Sequence, residues 1–169
     1  MRSVQGAIGL ALIGLGIFAL GNRLLYVAAL GALMLTMNGW AKLSLSAQDG
    51  VMTRSFFGIY AVRPSGNAKM LVHGTTVHGI QNLGSAALER MPNTYYAPES
   101  GVGLALRNAQ ALYGQEARIG IVGLGTGTLA CYTRPGETWT YYEIDPVIEG
   151  IARDPKRFTF LSRCNPQVR

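Results

Sequence analysis

Residues 118–145 read Arg118-Ile-Gly-Ile-Val122, then Gly123-Leu-Gly-Thr-Gly127-Thr-Leu-Ala130, a Pro135-Gly136 turn, and Thr138-Trp-Thr-Tyr-Tyr-Glu143-Ile-Asp145. The apolar run 119–122 has the length and composition of a buried parallel strand. Three glycines at 123, 125 and 127 follow it, then a short helix expected over 126–133 and a second strand over 138–144. That strand ends in an acid, Glu143, 20 residues beyond Gly123. Such a layout suits a nucleoside. Glycines let a ligand approach the backbone, and a carboxylate at the tip of the next strand accepts hydrogen bonds from both ribose hydroxyls. The competing reading is a tight packing turn.

Two ligand classes fit the loop. Gly123-x-Gly125-x-Gly127 matches loops that hold S-adenosylmethionine and its relatives, and Gly125-x-Gly127-x-x-Ala130 satisfies the dinucleotide pattern. The dinucleotide match begins two residues late relative to the end of the first strand, so the register favours the adenosyl-sulfonium class.

Working outward, composition leans toward a membrane-attached protein: 49% hydrophobic residues, 14% charged and 22 glycines in 169 residues. The net charge of +6 is spread along the chain rather than gathered in one stripe. Its nearest approach to a basic patch, Arg153, Lys156, Arg157, Arg163 and Arg169, is opposed by Asp154 and reads as a solvated or membrane-facing surface, so no nucleic-acid partner is expected. Cys131 and Cys164 form no framework. A buried free thiol in a reducing compartment is the expectation for Cys131.

Residues 4–20 and 24–41 are almost wholly apolar, separated by Asn22-Arg23, with Tyr26 and Trp40 near the ends of the second run. The expectation is a transmembrane helix pair over 1–41, with Tyr26 and Trp40 as interfacial anchors. Arg2 and Lys42 on one side against Arg23 on the other favour a cytoplasmic globular part. A signal peptide, a buried soluble helix and the last spans of a longer polytopic protein are the alternatives.

A small antiparallel β unit is expected over 50–84. Residues 53–62 read as strand, Pro64-Ser65-Gly66-Asn67 turns the chain, 68–72 returns, and 73–81 continues the pattern with another glycine-marked reversal, three or four strands in all. His73 and His78 are five apart, which places them on opposite faces of a single strand, and with no Cys or acid nearby no metal is expected. Ser100 caps a helix that packs Val102, Ala105, Leu106, Ala109, Leu112 and Tyr113 on one face and ends at Gly114. Tyr95-Tyr96, just ahead of it, read either as turn packing or as the lining of a pocket.

Four segments carry a family resemblance. They are Leu71-Val-His-Gly-Thr-Thr-Val-His-Gly-Ile-Gln81, Tyr95-Tyr-Ala-Pro-Glu-Ser-Gly-Val-Gly-Leu-Ala-Leu106, Gly123-Leu-Gly-Thr-Gly-Thr-Leu-Ala130 and Tyr142-Glu-Ile-Asp-Pro146. Over roughly residues 53–164 the chain resembles spermidine synthase-related proteins, most closely the bacterial subgroup fused to membrane helices. The resemblance implies an aminopropyltransferase that moves the aminopropyl group of decarboxylated S-adenosylmethionine to a polyamine such as putrescine. Its fold would be α/β: a transmembrane helix pair, the small antiparallel β unit, and a partial Rossmann-like, methyltransferase-type domain over 98–169. Carried over by position, Gly123, Leu124, Gly125, Thr126 and Gly127 border the nucleoside. Glu143 holds the ribose, Asp145 shares its Glu-x-Asp motif, and Gln81 closes the segment His78-Gly79-Ile80-Gln81. Tyr95, Tyr96 and His78 would face the amine substrate.

The chain also departs from the family. Thr126 stands where an aspartate is usual, the polyamine-contacting Tyr-His-Glu-Met segment is not recognisable, and the catalytic aspartate would lie on a strand beyond Arg169. That carboxylate matters because a primary amine has a pKa of about 10.4 and must lose a proton to react. Three expectations therefore stand together: an aminopropyltransferase-like enzyme, inactive if truncated here; a methyltransferase using intact S-adenosylmethionine; and a non-catalytic membrane-bound nucleoside-binding module. A homo-oligomer or a second chain would complete the sheet.

Overall fold

The computed structural model describes residues 2–36, 38–48 and 51–168, and the chain divides into two units, Met1–Asp49 and Gly50–Arg169. In the first unit α1 (Arg2–Phe18) passes through a single turn of tighter helix (Ala19–Gly21) to α2 (Arg23–Thr36) and then α3 (Gly39–Ser46). Asn22 separates the first two helices. Its Oδ1 accepts from the N–H groups of Leu24 (3.1 Å) and Leu25 (3.3 Å), satisfying donors that open α2. Ala19 and Ala29 are buried, and Gly16 faces Ala29, so small residues bring α1 and α2 together.

The expected transmembrane helix pair is corrected here. No single helix among the described residues is long and apolar enough to cross a membrane. At about 1.5 Å per residue, the 17 residues of α1 reach about 26 Å, short of the ~30 Å hydrocarbon layer. The second apolar run is not one helix at all, because α2 and α3 meet at a 75° bend and neither alone is long enough to span. Asn38 takes a left-handed backbone (φ 65°), and a side chain on Gly39 would run into the carbonyl of Met34. Helical geometry therefore stops there despite the continuous hydrophobicity.

The second unit opens with an antiparallel meander in the order β1 (Met52–Ser55), β2 (Gly58–Pro64), β3 (Ala68–His73) and β4 (Thr76–Asn82). The single strand expected over 53–62 is two strands. Ser55 Oγ accepts from the Phe57 N–H (3.0 Å) and turns the chain at Phe56-Phe57. In β2–β3, Tyr60 pairs with His73 and Val62 with Leu71. Between β3 and β4 the register slips by one: Val72 opposes Val77, but Leu71 opposes Gly79. His78 is the extra residue of this β-bulge.

Next come α4 (Ala86–Arg90), a tight helical turn (Thr94–Tyr96), α5 (Gly101–Arg107) and α6 (Ala109–Tyr113). Ser100 does cap α5, through the Gly103 N–H (3.1 Å), but the expected single helix breaks at Asn108. The strands β5 (Arg118–Val122) and β6 (Thr138–Tyr142) pair in parallel, joined through a tight helical turn (Thr128–Tyr132) shorter than the helix expected there. Then α7 (Pro146–Arg153) and α8 (Phe160–Cys164) close the unit.

Where a partial Rossmann-like domain is expected, the structure has a two-stranded parallel pair. Its inner face carries Ile119, Ile121, Trp139 and Tyr141 into one core with Leu129, Ile148, Ile151, Phe158 and Leu161, to which Tyr60 and Leu71 of the meander also belong. The regions expected as separate at 50–84 and 98–169 therefore share a core. Val122 is 91% exposed and Ile144 78%, so the other face and the strand ends are bare.

Cys131 and Cys164 correct another expectation. They form a disulfide (Cα–Cα 4.8 Å) joining the turn after the glycine loop to α8, so Cys131 is not a free thiol.

Candidate functional site

Glycine geometry builds the site. Gly123, Gly125 and Gly127 all have positive φ (85°, 57° and 80°), a region side chains rarely adopt. Their surroundings differ. A β-carbon on Gly127 would meet Leu161 of α8 at 2.8 Å, and one on Gly125 would come within 3.1 Å of the His78 carbonyl. At Gly123 nothing lies within 4 Å. Two of the glycines serve close packing; the third faces open space.

That space is a cavity of about 230 Å³ lined by Tyr60, His78, Tyr96, Val122, Gly123, Leu124, Gly125, Glu143 and Ile148. Glu143 is held at its edge by two backbone donors. Its Oε2 accepts from the Leu124 N–H (2.8 Å) and its Oε1 from the Asp145 N–H (2.9 Å). Each oxygen keeps a lone pair for a further donor. The acid at the end of β6 and the glycine turn after β5 therefore meet, as their parallel pairing requires.

His78 reaches the same cavity from the meander. Opposite faces would hold for one strand, but Gly74-Thr75 puts His73 and His78 on two paired strands, where the faces coincide. Their ring centroids are 5.8 Å apart, and Tyr60 lies 4.7 Å from His73 on the other side. The bulge also places His78, Gly79 and Gln81 on this inner face together. Burial, and the neighbouring His73, lower the pKa of His78 below its ordinary 6.5. Burial chiefly raises that of Tyr60, helped by Asp145.

The remaining expected residues divide. Leu124 lines the cavity and is nearly buried. Tyr96 lines it too, while Tyr95, its ring tilted against that of Tyr96 with centroids 4.3 Å apart, is not in the lining and reaches the Val77 carbonyl (3.5 Å). Burial, with Tyr96 beside it, pushes the Tyr95 hydroxyl up to about 12. Thr126 is fully buried, bonded to Thr128 Oγ1 at 2.8 Å and packed where a side chain on Gly79 would lie. Gln81 is 1% exposed and its amide is fully engaged. It donates to the Glu89 carbonyl (2.8 Å) and Thr159 Oγ1 (2.9 Å) and accepts from the Thr159 N–H (3.0 Å). Neither Thr126 nor Gln81 is among the residues that line the cavity.

Asp145 is 2% exposed and caps α7, accepting from the Val147 N–H (2.9 Å). Burial raises its pKa, but the Ser55 hydroxyl, the Val147 N–H, the Tyr60 hydroxyl and the charge of His73 outweigh that and hold it below 3.8. Neither hydroxyl makes a well-formed bond to Oδ2, which is without a partner among the described residues.

Tyr60, Val122 and Ile148 are the lining residues that sequence reasoning missed. The turn after Pro64 fixes the β2–β3 register and with it the Tyr60–His73 pair, a signal available in principle. Among the described residues no three His, Cys, Asp or Glu side chains group as a metal site. Compared with known protein families, with curated proteins and with solved structures, the chain matches none.

Proposed function

We propose that the 51–168 region binds a sulfur-bearing adenosine nucleoside and belongs to chemistry of the spermidine synthase type, aminopropyl transfer from decarboxylated S-adenosylmethionine to a polyamine. One observation carries the reading. The Glu143 carboxylate, gripped by the N–H groups of Leu124 and Asp145, borders the same 230 Å³ cavity as Gly123 and Gly125. A carboxylate fixed in that way accepts from a vicinal diol without having to be ordered first, and left-handed glycines leave the backbone approachable.

In such a transfer the amine nitrogen bonds to the propyl carbon. The carbon–sulfur electron pair leaves on methylthioadenosine, and a base takes the amine proton. Glu143 is the one carboxylate that lines the cavity among the described residues, and it is already committed to two donors. That favours a second reading, nucleoside binding without turnover by this chain alone. Titration calorimetry of the folded chain with methylthioadenosine tests what both readings share. Saturable binding is expected, and no heat at millimolar nucleoside would remove both. Offering putrescine and decarboxylated S-adenosylmethionine then separates them by product formation.

A further inference from the structure

The cavity has an unusual charge inventory. Glu143 supplies its one carboxylate, no lysine or arginine lines it among the described residues, and His78 is the one lining group whose charge changes near neutral pH. His78 is not there by chance of exposure. The bulge makes it the extra residue of β4, turned onto the inner face with its carbonyl against Gly125.

We propose that His78 sets the charge preference of this pocket: its uncharged ring admits a nucleoside bearing a sulfonium, and a proton on the ring rejects that ligand while a neutral thioether nucleoside still binds. The inference rests on the nucleoside reading above and names the ligand property the site selects. The physical reason is Coulombic. With the ring neutral, the lining carries one negative charge, which attracts a cation. A protonated ring cancels it, and like charges in one small cavity repel at an effective dielectric far below that of water.

The groups facing His78 are few. His73 lies beside it on β3, and the cavity lining adds Tyr60 from β2, Tyr96 from the 94–96 turn and Glu143 after β6; Tyr95 adjoins Tyr96, and Asp145 interacts with Tyr60 and His73. Burial and His73 both keep the ring uncharged at neutral pH. The tyrosine hydroxyls at 60 and 95 are held protonated by burial.

The test uses a matched pair of ligands on the full chain: the S-methyl sulfonium of methylthioadenosine, and methylthioadenosine itself, a neutral thioether. Affinities are measured at pH 7.5 and pH 5. The cationic ligand is expected to lose about tenfold relative to the thioether on acidification, and His78→Gln is expected to abolish that change while His73→Gln keeps it. The chain has two histidines, so imidazole NMR titration gives a readout that needs no variant at position 78. By linkage, the sulfonium should lower the His78 titration midpoint and the thioether should not. Equal loss of both ligands, an unmoved His78 midpoint, or a pH effect that survives in a folded His78→Gln chain would overturn the proposal with the nucleoside reading intact. Failure of the folded chain to bind either ligand at any pH would overturn that reading and this inference together.

Discussion

Glu143 does two jobs with one carboxylate: it ties the glycine turn to the end of β6, and it edges the cavity. Replacing it by Gln leaves one acceptor oxygen and removes the charge. Glu143→Gln is therefore expected to weaken methylthioadenosine by about 1.5–3 kcal/mol, the range for hydrogen bonds to a charged group, as calorimetry would show. The glycines offer a contrast. Gly127→Ala meets Leu161 and a positive φ together, so its cost falls on stability, about 1–3 kcal/mol in a denaturant titration. Gly123→Ala meets no protein atom within 4 Å, so beyond the backbone term its methyl enters the cavity, and on the proposed nucleoside reading binding should suffer more than folding. Asp145 titrates below 3.8 in the folded chain, so the unfolded chain binds the proton first as pH falls. Its contribution is complete above about pH 4 and disappears as pH drops through the folded value. Asp145→Asn, which retains a capping oxygen, should flatten the acid limb of denaturation midpoints between pH 2.5 and 7. The glycine turn and Glu143 were legible in the sequence because both are local devices. The roles of Gln81 and Thr126 were not, since their partners Glu89, Thr159 and Gly79 declare themselves only once segments pack.

At the scale of elements, α8 decides how firmly the glycine turn is held. Leu161 lies against Gly127, Asn165 reaches Thr133 Oγ1 (3.2 Å), and Arg163 pairs with Glu89 of α4 (2.9 Å). The Cys131–Cys164 bridge spans 33 residues of sequence across the same contact. A loop of that length, closed in the unfolded chain, contributes about 3–4 kcal/mol in the chain-entropy account. Denaturant unfolding with and without reductant should differ by about that amount, and thiol titration of the unreduced, denatured chain should find no free thiol. The pairing also removes the free-thiol ground for a reducing compartment. Of the elements themselves, β5, β6 and the meander were readable from periodicity and turn residues. The break at Asn108 and the replacement of the 126–133 helix by a shorter turn were not, because short helices depend on packing more than on propensity.

The whole molecule is two units with opposite surfaces. In the 51–168 region one core joins the meander to the parallel pair, and the cavity lies where they meet. The first unit leaves Leu10, Phe18, Leu20, Leu24 and Trp40 exposed. Apolar surface of that extent seeks a cover in water. In detergent-free size-exclusion chromatography the full chain should therefore self-associate, and a chain starting at residue 50 should elute smaller and keep its thiol count of zero. What the sequence determined by itself is the local grammar: strand, left-handed glycine turn, strand and terminal acid, and helices too apolar to be ordinary surface helices. These follow from residue spacing and backbone φ, which neighbours in the chain settle among themselves. The tertiary structure alone decided that a one-residue slip turns His78 and Gln81 to the same face, that Tyr60 enters a cavity built 63 residues later around Gly123, and that two distant cysteines meet. Each depends on which segments come together. That choice is made by burial summed over the whole core, and no window of sequence contains it.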